Sequence, residues 1–226
     1  MCYTFALHKS LYDLTIMSGF FLTLDGVDGA GKSTQLAFIQ DFLQQKHIDV
    51  VCTREPGGTQ LGKSLRDLLL NSQSQVCADA ETLLMFADRA QHLHELIIPA
   101  LSQNKWVLSD RFTDATFAYQ SGGRQIAKEK IEQLENWVQG DLRPDLTIIL
   151  DIPVEIAIER IRSNRNLDRF EKEGIDFFER VRESYLNRAH TNPERYKIID
   201  TNRTLSIIQN DIAQILLEVI NQRSVS

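Results

Sequence analysis

Residues 26–33 have the types and the spacing of a loop that binds phosphate groups. They read G-V-D-G-A-G-K-S and match the pattern G-x-x-x-x-G-K-[ST] at every fixed position. Glycines allow the backbone to turn its N–H groups inward, where they attract phosphate together with the start of a following helix. Lys32 can then reach the terminal phosphates of a nucleoside triphosphate, and the Ser33 hydroxyl can ligate Mg²⁺. The predicted triphosphate-binding residues are Gly26, Val27, Asp28, Gly29, Ala30, Gly31, Lys32, Ser33 and Thr34.

Asp28 is an unusual member of this loop, because a carboxylate repels phosphate groups. One interpretation is that it points toward a second substrate, where it accepts a hydrogen bond from a sugar hydroxyl or holds metal-bound water. The other is a solvated loop aspartate, and the sequence leaves both open. A chance glycine-rich turn is the alternative for the whole motif. The apolar run before it and the helical pattern after it favour phosphate binding.

Polar residues that could bind an anion follow two other apolar runs. Arg54, Glu55 and Pro56 come after the second run, where they could hold the phosphate of an acceptor; a surface ion pair is the alternative. The third run ends in Asp110 and Arg111. An aspartate at such a strand end is typical of the metal-binding carboxylate in phosphate-loop enzymes, although it could also cap a helix. Arg111 could bind phosphate through two nitrogens.

A predicted helix that starts near residue 80 carries Phe86 and Arg89. These residues are three positions apart, so both can face the same space. An aromatic ring and a forked donor suit a nucleobase, which stacks and forms hydrogen bonds along its edge. Packing of Phe86 in the core is the alternative. Further along, one helical face carries Thr116, Tyr119 and Gln120, before a predicted loop over residues 121–124.

Four arginines lie within ten residues: Arg160, Arg162, Arg165 and Arg169. We interpret residues 160–173 as a lid segment. Such a segment can exclude water and place arginines on the charge of a transferring phosphoryl group. The alternative is a solvated surface with weak ion pairs. Lys32 is the only cation of residues 26–33, which favours an arginine supplied from elsewhere in the chain.

The elements that must position these residues alternate along the chain. Five short runs that are apolar on both faces are predicted as buried parallel strands: 20–25, 49–53, 106–109, 146–150 and 196–199. Helical periodicity covers 32–46, 60–70, 80–103, 128–139, 154–163, 171–189 and 204–222. This order predicts an α/β fold in three layers, with a five-stranded parallel sheet flanked by helices. Ligands of such sheets bind beyond the carboxyl ends of the strands, where the polar residues above are found.

The composition is typical of a single globular domain. The 226 residues are 42% hydrophobic and 25% charged, and the formal net charge is −6. This charge argues against binding nucleic acid through general phosphate attraction, and no apolar run reaches the roughly 18 residues of a membrane span. Three cysteines without ligand-like spacing indicate free thiols in a reducing compartment. Residues 1–16 are expected to be a disordered extension or a misassigned start, and 17–226 one domain.

Several separately spaced motifs occur in one order between Phe20 and Gln222. They are G-V-D-G-A-G-K-S-T (26–34), T-R-E-P-G-G-T (53–59), F-A-D-R-A-Q-H (86–92), S-D-R-F-T-D-A-T-F-A-Y-Q (109–120), G-D-L-R-P-D-L-T (140–147) and L-D-R-F-E (167–171). In these motifs the chain resembles the bacterial thymidylate kinases. The resemblance implies a cytoplasmic homodimer with five parallel strands. It implies transfer of phosphate from ATP to thymidine monophosphate. From the residues themselves we expect Mg²⁺ on Ser33 and Asp110, and no nucleic-acid or membrane partner.

The resemblance also implies roles for individual residues. Asp28 would face the thymidylate sugar, Phe86 would stack on thymine, and Arg89 would bind the edge of the base. Arg111 would hold the monophosphate, and Tyr119 would exclude a ribose hydroxyl. The implied substrate-binding residues are Arg54, Glu55, Pro56, Phe86, Arg89, Arg111, Thr116, Tyr119 and Gln120. The implied catalytic residues are Lys32, Arg111, Asp28, Arg160, Arg162 and Arg165, and which lid arginine acts is left open.

Three other functions are compatible with a phosphate loop. A kinase of another nucleoside monophosphate, or of a deoxynucleoside, would have the same loop. A GTP-binding switch would need an Asn-Lys-x-Asp motif, but Asn104-Lys105 is followed by Trp106-Val107. A nucleotide-binding subunit without catalytic activity is the third.

Overall fold

The computed structural model describes residues 19–71, 73, 75–162 and 168–224. Residues 1–16, which were predicted to lie outside the domain, and Arg165 of the arginine-rich segment are outside the described residues.

Within the described residues, five parallel strands form one sheet in the order β2-β3-β1-β4-β5. The strands are β1 (Phe20–Asp25), β2 (Val50–Arg54), β3 (Trp106–Asp110), β4 (Leu146–Asp151) and β5 (Tyr196–Asp200). Leu22 in the central strand pairs with Leu108 on one side and Leu146 on the other. The predicted α/β fold with a five-stranded parallel sheet is therefore confirmed. The observed strand boundaries differ from the predicted ones by at most one residue.

Helices cover both faces of this sheet, because successive strand residues point to opposite sides. Leu22 and Leu108 belong to a core cluster that includes Ile39 and Val181 from helices, whereas Phe21 and its neighbours belong to a second cluster. The α-helices of the described residues are α1 (Lys32–Gln45), α2 (Gln60–Leu70), α3 (Ala78–His92), α4 (Ile98–Ser102), α5 (Thr113–Thr116), α6 (Lys128–Gln139), α7 (Val154–Arg162), α8 (Ile175–Thr191) and α9 (Leu205–Ser224).

Two stretches differ from the helices predicted by periodicity. The segment 80–103 is interrupted by a π-helical turn over Leu93–Ile97, which a pattern of apolar residues does not reveal because the turn keeps them buried. Residues 171–174 are not helical, and α8 begins only at Ile175. The Asp168 carboxylate accepts hydrogen bonds from the backbone N–H groups of Phe170 and Glu171, and so stabilises a turn in place of a first helical turn.

The predicted loop over residues 121–124 is also different, because a π-helix extends over Phe117–Gly123. Its glycines permit a close approach to α8: a Cβ on Gly122 would lie 2.8 Å from the Ser184 Cβ, and one on Gly123 would lie 2.4 Å from the Phe177 ring. Glycine thus serves here for close helix packing and not as a signal for a loop.

The carboxyl ends of the strands face the phosphate loop, which connects β1 to α1. Gly26 follows the last residue of β1, and α1 begins at Lys32. The ends of β2 and β3 lie beside it, so Arg54, Asp110 and Arg111 come to the same edge of the sheet as the loop. Within the described parts of the chain, no helix is both long and apolar enough to span a membrane.

Candidate active site

The backbone of the phosphate loop has the conformation that its glycines permit. Gly26, Gly29 and Gly31 have φ angles of 135°, 83° and 92°, in the region that residues with a side chain rarely adopt. A Cβ on Gly26 would lie 2.4 Å from the carbonyl oxygen of Leu150, so β4 packs directly against the loop. The loop therefore turns tightly at the end of β1 and leads into the amino end of α1.

Lys32 lies across this loop. Its Nζ donates hydrogen bonds to the carbonyl oxygens of Gly26 and Val27 at 3.0 and 2.9 Å, and lies 3.5 Å from Asp28 Oδ1. Burial and the nearby Arg111 guanidinium both lower the pKa of the Lys32 ammonium, while the Asp28 carboxylate raises it. The amino group is thus held over the loop in a crowded, largely desolvated position.

A cleft, called the loop cavity here, opens above the phosphate loop. It is lined by Asp28, Gly29, Gly31, Lys32, Ser33, Thr34, Arg54, Glu55, Arg66, Asp110, Arg111, Arg160, Ile161, Asp168 and Glu171. Of the lid arginines, Arg160 lines this cavity and its Nη1 donates to the Gly29 carbonyl at 3.3 Å. Arg162 is exposed and lines a separate groove beside Ile158 and Ile175, so the structure does not bring it to the loop.

Asp110 and Ser33 line the same cavity and fit a magnesium ion. Asp110 Oδ1 is buried and has no hydrogen-bond partner among the described residues, and the Ser33 side chain is exposed to the cleft. The described residues contain no cluster of three or more histidine, cysteine or acidic side chains suited to a metal. Mg²⁺ that binds together with substrate phosphates needs only one or two protein ligands, so this donor set suits it.

A second cavity, called the inner cavity, adjoins the loop cavity. Its lining consists of Asp28, Glu55, Pro56, Arg66, Leu70, Met85, Asp88, Arg89, Arg111, Phe112, Ala115, Thr116, Tyr119, Gln120, Asp168 and Phe170. Five residues line both cavities, namely Asp28, Glu55, Arg66, Arg111 and Asp168. The two cavities therefore meet at a wall that is dense in charge.

Arg111 is the centre of this shared wall. Its Nη2 forms an ion pair with Asp28 and lies 3.1 Å from the Tyr119 hydroxyl, and its Nη1 lies 3.3 Å from the Tyr185 hydroxyl. The Tyr119 hydroxyl in turn donates to Asp28 Oδ2 at 2.8 Å. Arg111 has a φ of 70°, which is rare for a residue with a side chain. The carboxylate of Asp28 thus turns toward Arg111 and Tyr119, which excludes the solvated loop aspartate.

Two aspartates near this wall have shifted pKa values. Burial alone would raise the pKa of Asp28, but the positive charges of Arg111 and Lys32 overcome this effect and hold it well below its usual range. Burial and the negative charge of Asp114 raise the pKa of Asp25 to about 7. Asp25 accepts a hydrogen bond from the Tyr185 hydroxyl at 3.0 Å. The same hydroxyl lies beside Arg111 Nη1, so Asp25 helps to position the groups around Arg111.

Arg89 lines the inner cavity and is held there by several neighbouring groups. Its Nε donates to Glu55 at 2.8 Å, its Nη2 donates to Thr116 Oγ1 at 2.9 Å, and its guanidinium carbon lies 4.9 Å from the centre of the Phe112 ring. Its Nη1 is buried without a hydrogen-bond partner among the described residues. His92 Nδ1 lies 2.9 Å from the other oxygen of Glu55. Arg89 is therefore rigidly oriented, with one donor left for a ligand.

Phe86 does not lie where base stacking would require it. It is 2% exposed, packs against Phe117 and Ile131, and does not line the inner cavity. Met85, which precedes it, lines the cavity because it is four residues before Arg89 on the same face of α3. The predicted stacking role of Phe86 is therefore wrong, and the core interpretation of this residue is correct.

The geometry agrees with the comparisons to known proteins. A family model described as thymidylate kinase matches residues 24–212. The chain belongs to the thymidylate kinase family. A thymidylate kinase of Neisseria gonorrhoeae (strain NCCP11945) is 56% identical over 196 residues, which cover 87% of this chain and 95% of that protein. One of Nitrosomonas europaea is 52% identical over 198 residues, which cover 88% of this chain and 92% of that protein.

A solved structure is similar as well. The crystal structure of thymidylate kinase from Ehrlichia chaffeensis aligns with a TM-score of 0.74 and 32% sequence identity. The alignment covers 88% of this chain and 98% of that one. The five-stranded parallel sheet is thus that of the thymidylate kinase family.

In this member of the thymidylate kinase family, most other residues predicted for the acceptor side do meet in one place. Glu55, Pro56, Thr116, Tyr119 and Gln120 line the inner cavity. Arg54 lines only the loop cavity.

Sequence reasoning missed several residues of this site. Arg66 lines both cavities and donates to the Pro56 carbonyl at 2.9 Å, and nothing in the sequence of α2, which also carries Lys63, singled it out. Asp168 and Phe170 line the inner cavity from the segment before α8. Asp88 accepts from the Gly57 N–H at 3.0 Å, and no sequence pattern distinguishes it from a surface aspartate.

Proposed function

We propose that this chain transfers the terminal phosphoryl group of ATP to thymidine 5′-monophosphate, which yields the diphosphate, a step toward the triphosphate. The single observation that carries the proposal is the junction of two cavities at Arg111. One cavity contains the phosphate loop with Lys32, and the other contains the unsatisfied donor of Arg89. A phosphate from each side would meet at the wall that they share.

ATP would bind with its phosphates in the loop cavity. The backbone N–H groups of residues 26–34 and the Lys32 ammonium would bind the β- and γ-phosphates. Ser33 and Asp110 would hold Mg²⁺, which neutralises charge on the phosphates when it is bound. Arg160 is the lid arginine favoured for stabilising the transferring group, because it lines this cavity and Arg162 does not.

Thymidine monophosphate would lie in the inner cavity with its base toward α3. Nη1 of Arg89 would donate to a carbonyl oxygen of the base, beside Thr116, and the Met85 side chain would pack near the ring. The phosphate would lie against Arg111, and Asp28 would accept a hydrogen bond from the sugar. Asp28 is ionised at neutral pH in spite of its burial, because the charges of Arg111 and Lys32 outweigh the cost of desolvation.

The reaction itself requires little acid–base chemistry from the protein. A phosphate monoester carries about 1.5 to 2 negative charges near pH 7, so its oxygen is already an anionic nucleophile. The protein would align this oxygen with the γ-phosphorus and stabilise charge through Lys32, Arg111 and Arg160. Catalysis would thus consist of positioning and electrostatic stabilisation.

The proposed assembly is a cytoplasmic homodimer without nucleic-acid or membrane partners. Support for the dimer is an exposed apolar surface on three helices that pack side by side, α2, α3 and α6. Its residues are Leu61, Leu68, Leu83 and Trp137, of which Trp137 is 82% exposed. Exposed apolar side chains on adjoining helices are typical of protein contacts.

The test of the proposed function is ADP formation with a panel of acceptors. Thymidine monophosphate should be used best, ahead of other nucleoside monophosphates, deoxynucleosides and a blank without acceptor. The variant Arg89→Ala should lower kcat/KM for thymidine monophosphate about 100-fold, because one donor to the base and a buried ion pair are lost. Its ATP hydrolysis without acceptor should match that of the native chain. Thymidine monophosphate no better than the blank would overturn the proposal.

A further inference from the structure

One carboxylate outside the substrate contacts joins three separate parts of the chain. Glu81, in the first turn of α3, is fully buried. Its Oε1 accepts from Gln120 Nε2 at 2.8 Å, its Oε2 pairs with Arg169 Nη1 at 2.7 Å, and Arg124 Nε lies 3.3 Å from both oxygens. A buried carboxylate costs stability unless it is paired in this way, so the arrangement is specific.

The Arg169 side chain ties the segment over residues 168–173 to the body of the domain. Besides Glu81, its Nε donates to the Leu69 carbonyl at 2.8 Å, and its backbone N–H donates to the Leu70 carbonyl at 3.2 Å. At the other end of the segment, Glu173 pairs with Arg124, which also contacts Glu81. Both ends of the segment are therefore linked to the same buried carboxylate.

The segment held in this way forms one wall of the inner cavity. Phe170 lines the cavity and meets the Tyr119 ring edge-on, with 5.8 Å between ring centres. Asp168 lines both cavities. The guanidinium groups of Arg169 and Arg124 lie 4.6 and 5.5 Å from the centre of the Phe170 ring, so the charges bound to Glu81 also fix this ring.

We propose that Glu81 is a positioning residue, which fixes the segment over residues 168–173 so that Phe170 and Asp168 complete the wall of the inner cavity. Glu81 itself does not line either cavity. Its effect on the monophosphate passes through Arg169 and Arg124, which hold the segment, and through Gln120, which lines the inner cavity. The variant Arg169→Gln tests the route through the segment by itself. The inference rests on the proposed use of the inner cavity by the monophosphate acceptor.

The variant Glu81→Gln keeps the shape of the side chain and removes its charge. KM for thymidine monophosphate should rise about tenfold, while kcat and KM for ATP stay within about threefold, since one charged hydrogen-bond set is lost far from the reacting atoms. Hydrogen exchange of the amides of 169–173, measured without nucleotide, should accelerate about tenfold or more, while the strands exchange as before. Glu135→Gln is the matched control. Glu135 is also buried, its Oε1 lies 3.1 Å from Arg143 Nε, and neither residue lines the two cavities.

Arg169→Gln removes the other half of the contact and keeps the test valid if Glu81→Gln does not fold. It should reproduce both the rise in KM and the faster amide exchange. In the double variant each of these should differ from the single variants by no more than about twofold, because the two residues act as a unit. If the amides of 169–173 exchange in the variants at the rate of the native chain, the inference is overturned, whichever acceptor the enzyme uses. Faster exchange with an unchanged KM also overturns it, whereas failure of the proposed function appears separately, in the acceptor panel with the native chain.

Discussion

At the scale of single residues, two aspartates three positions apart respond to pH in opposite ways. Asp25 is fully buried, and burial with the nearby Asp114 charge raises its pKa from 3.8 to about 7. Asp28 pairs with Arg111 and Lys32, and its pKa is lowered in spite of burial. The folded state therefore favours the protonated form of Asp25 and the ionised form of Asp28.

The substitution Asp25→Asn should remove a pH-dependent cost to stability. Between pH 3.8 and about 7, the folded chain keeps a proton on Asp25 that the unfolded chain has released, so stability falls as pH rises through this window and is then constant. An amide does not ionise, so the free energy of unfolding of the variant relative to the native chain should increase by up to about 4 kcal/mol across the window. Urea denaturation at a series of pH values measures this.

The control for this experiment is Asp28→Asn. Because the pKa of Asp28 is lowered, its contribution to stability is complete above pH 3.8 and is lost only at lower pH. The difference between this variant and the native chain should therefore be constant from about pH 5 to about pH 7. A constant difference for Asp25→Asn as well would contradict the assignment of the raised pKa.

Single residues also show what the sequence could reveal about the site. The phosphate loop was predictable because its spacing is a local property of one turn. Spacing could not decide whether Met85 or Phe86 faces the inner cavity, since residues three and four positions before Arg89 can both lie on its side of the helix. The packing of α3 against its neighbours decides it, because this packing buries Phe86 in the core. Glu81 and His92 were not predictable, because their partners are 39 to 88 and 37 to 39 residues away in the chain.

At the scale of elements, the phosphate loop is supported by α7. A Cβ on Gly29 would lie 2.4 Å from the Ala157 carbonyl oxygen, which is backbone and cannot move aside easily. A Cβ on Gly31 would meet nothing within 4 Å. Both glycines have positive φ angles, so the two positions share the conformational restriction and differ only in the space around them.

Substitution of these glycines by alanine should therefore have unequal effects on stability. Gly31→Ala should cost about 1 to 2 kcal/mol, the usual penalty of a left-handed conformation for alanine. Gly29→Ala should cost about 1 to 3 kcal/mol more, because α7 must move to relieve the overlap. Chemical denaturation of the two variants, side by side, gives the comparison. Equal losses would show that α7 does not restrain the loop.

The presence of the strands and helices was easier to predict than the residues at which they begin and end. Runs that are apolar on both faces identified the parallel strands, because a strand buried on both sides leaves no room for polar residues. The turn before α8 was missed because its cause is the side chain of Asp168, which binds the backbone of Phe170 and Glu171. Such a local competitor does not alter the apolar periodicity of α8.

At the scale of the whole molecule, the substitution Leu83→Glu tests the proposed dimer. Leu83 is 56% exposed within the apolar surface of α2, α3 and α6, so a buried charge there should oppose association. Light scattering after gel filtration should give the mass of one 25.9 kDa chain for the variant and twice this mass for the native chain. Ile207→Glu is the control, because Ile207 is 44% exposed on α9, which packs beside β5 at an edge of the sheet.

The control should keep the native mass. A native chain that already runs as a single copy would contradict the dimer, and so would an unchanged mass for Leu83→Glu.

The left-handed backbone of Arg111 limits how this enzyme can be engineered for heat resistance. His47 and Gln125 have similar φ angles, of 57° and 61°, and glycine at those two positions would release strain without touching either cavity. Arg111 has the same strain, but its guanidinium joins Asp28 to Tyr119 at the shared wall. Removal of this guanidinium would leave the partly buried Asp28 carboxylate without its main partner, which costs more stability than the released strain returns, so a library selected for thermal tolerance would keep the strained residue.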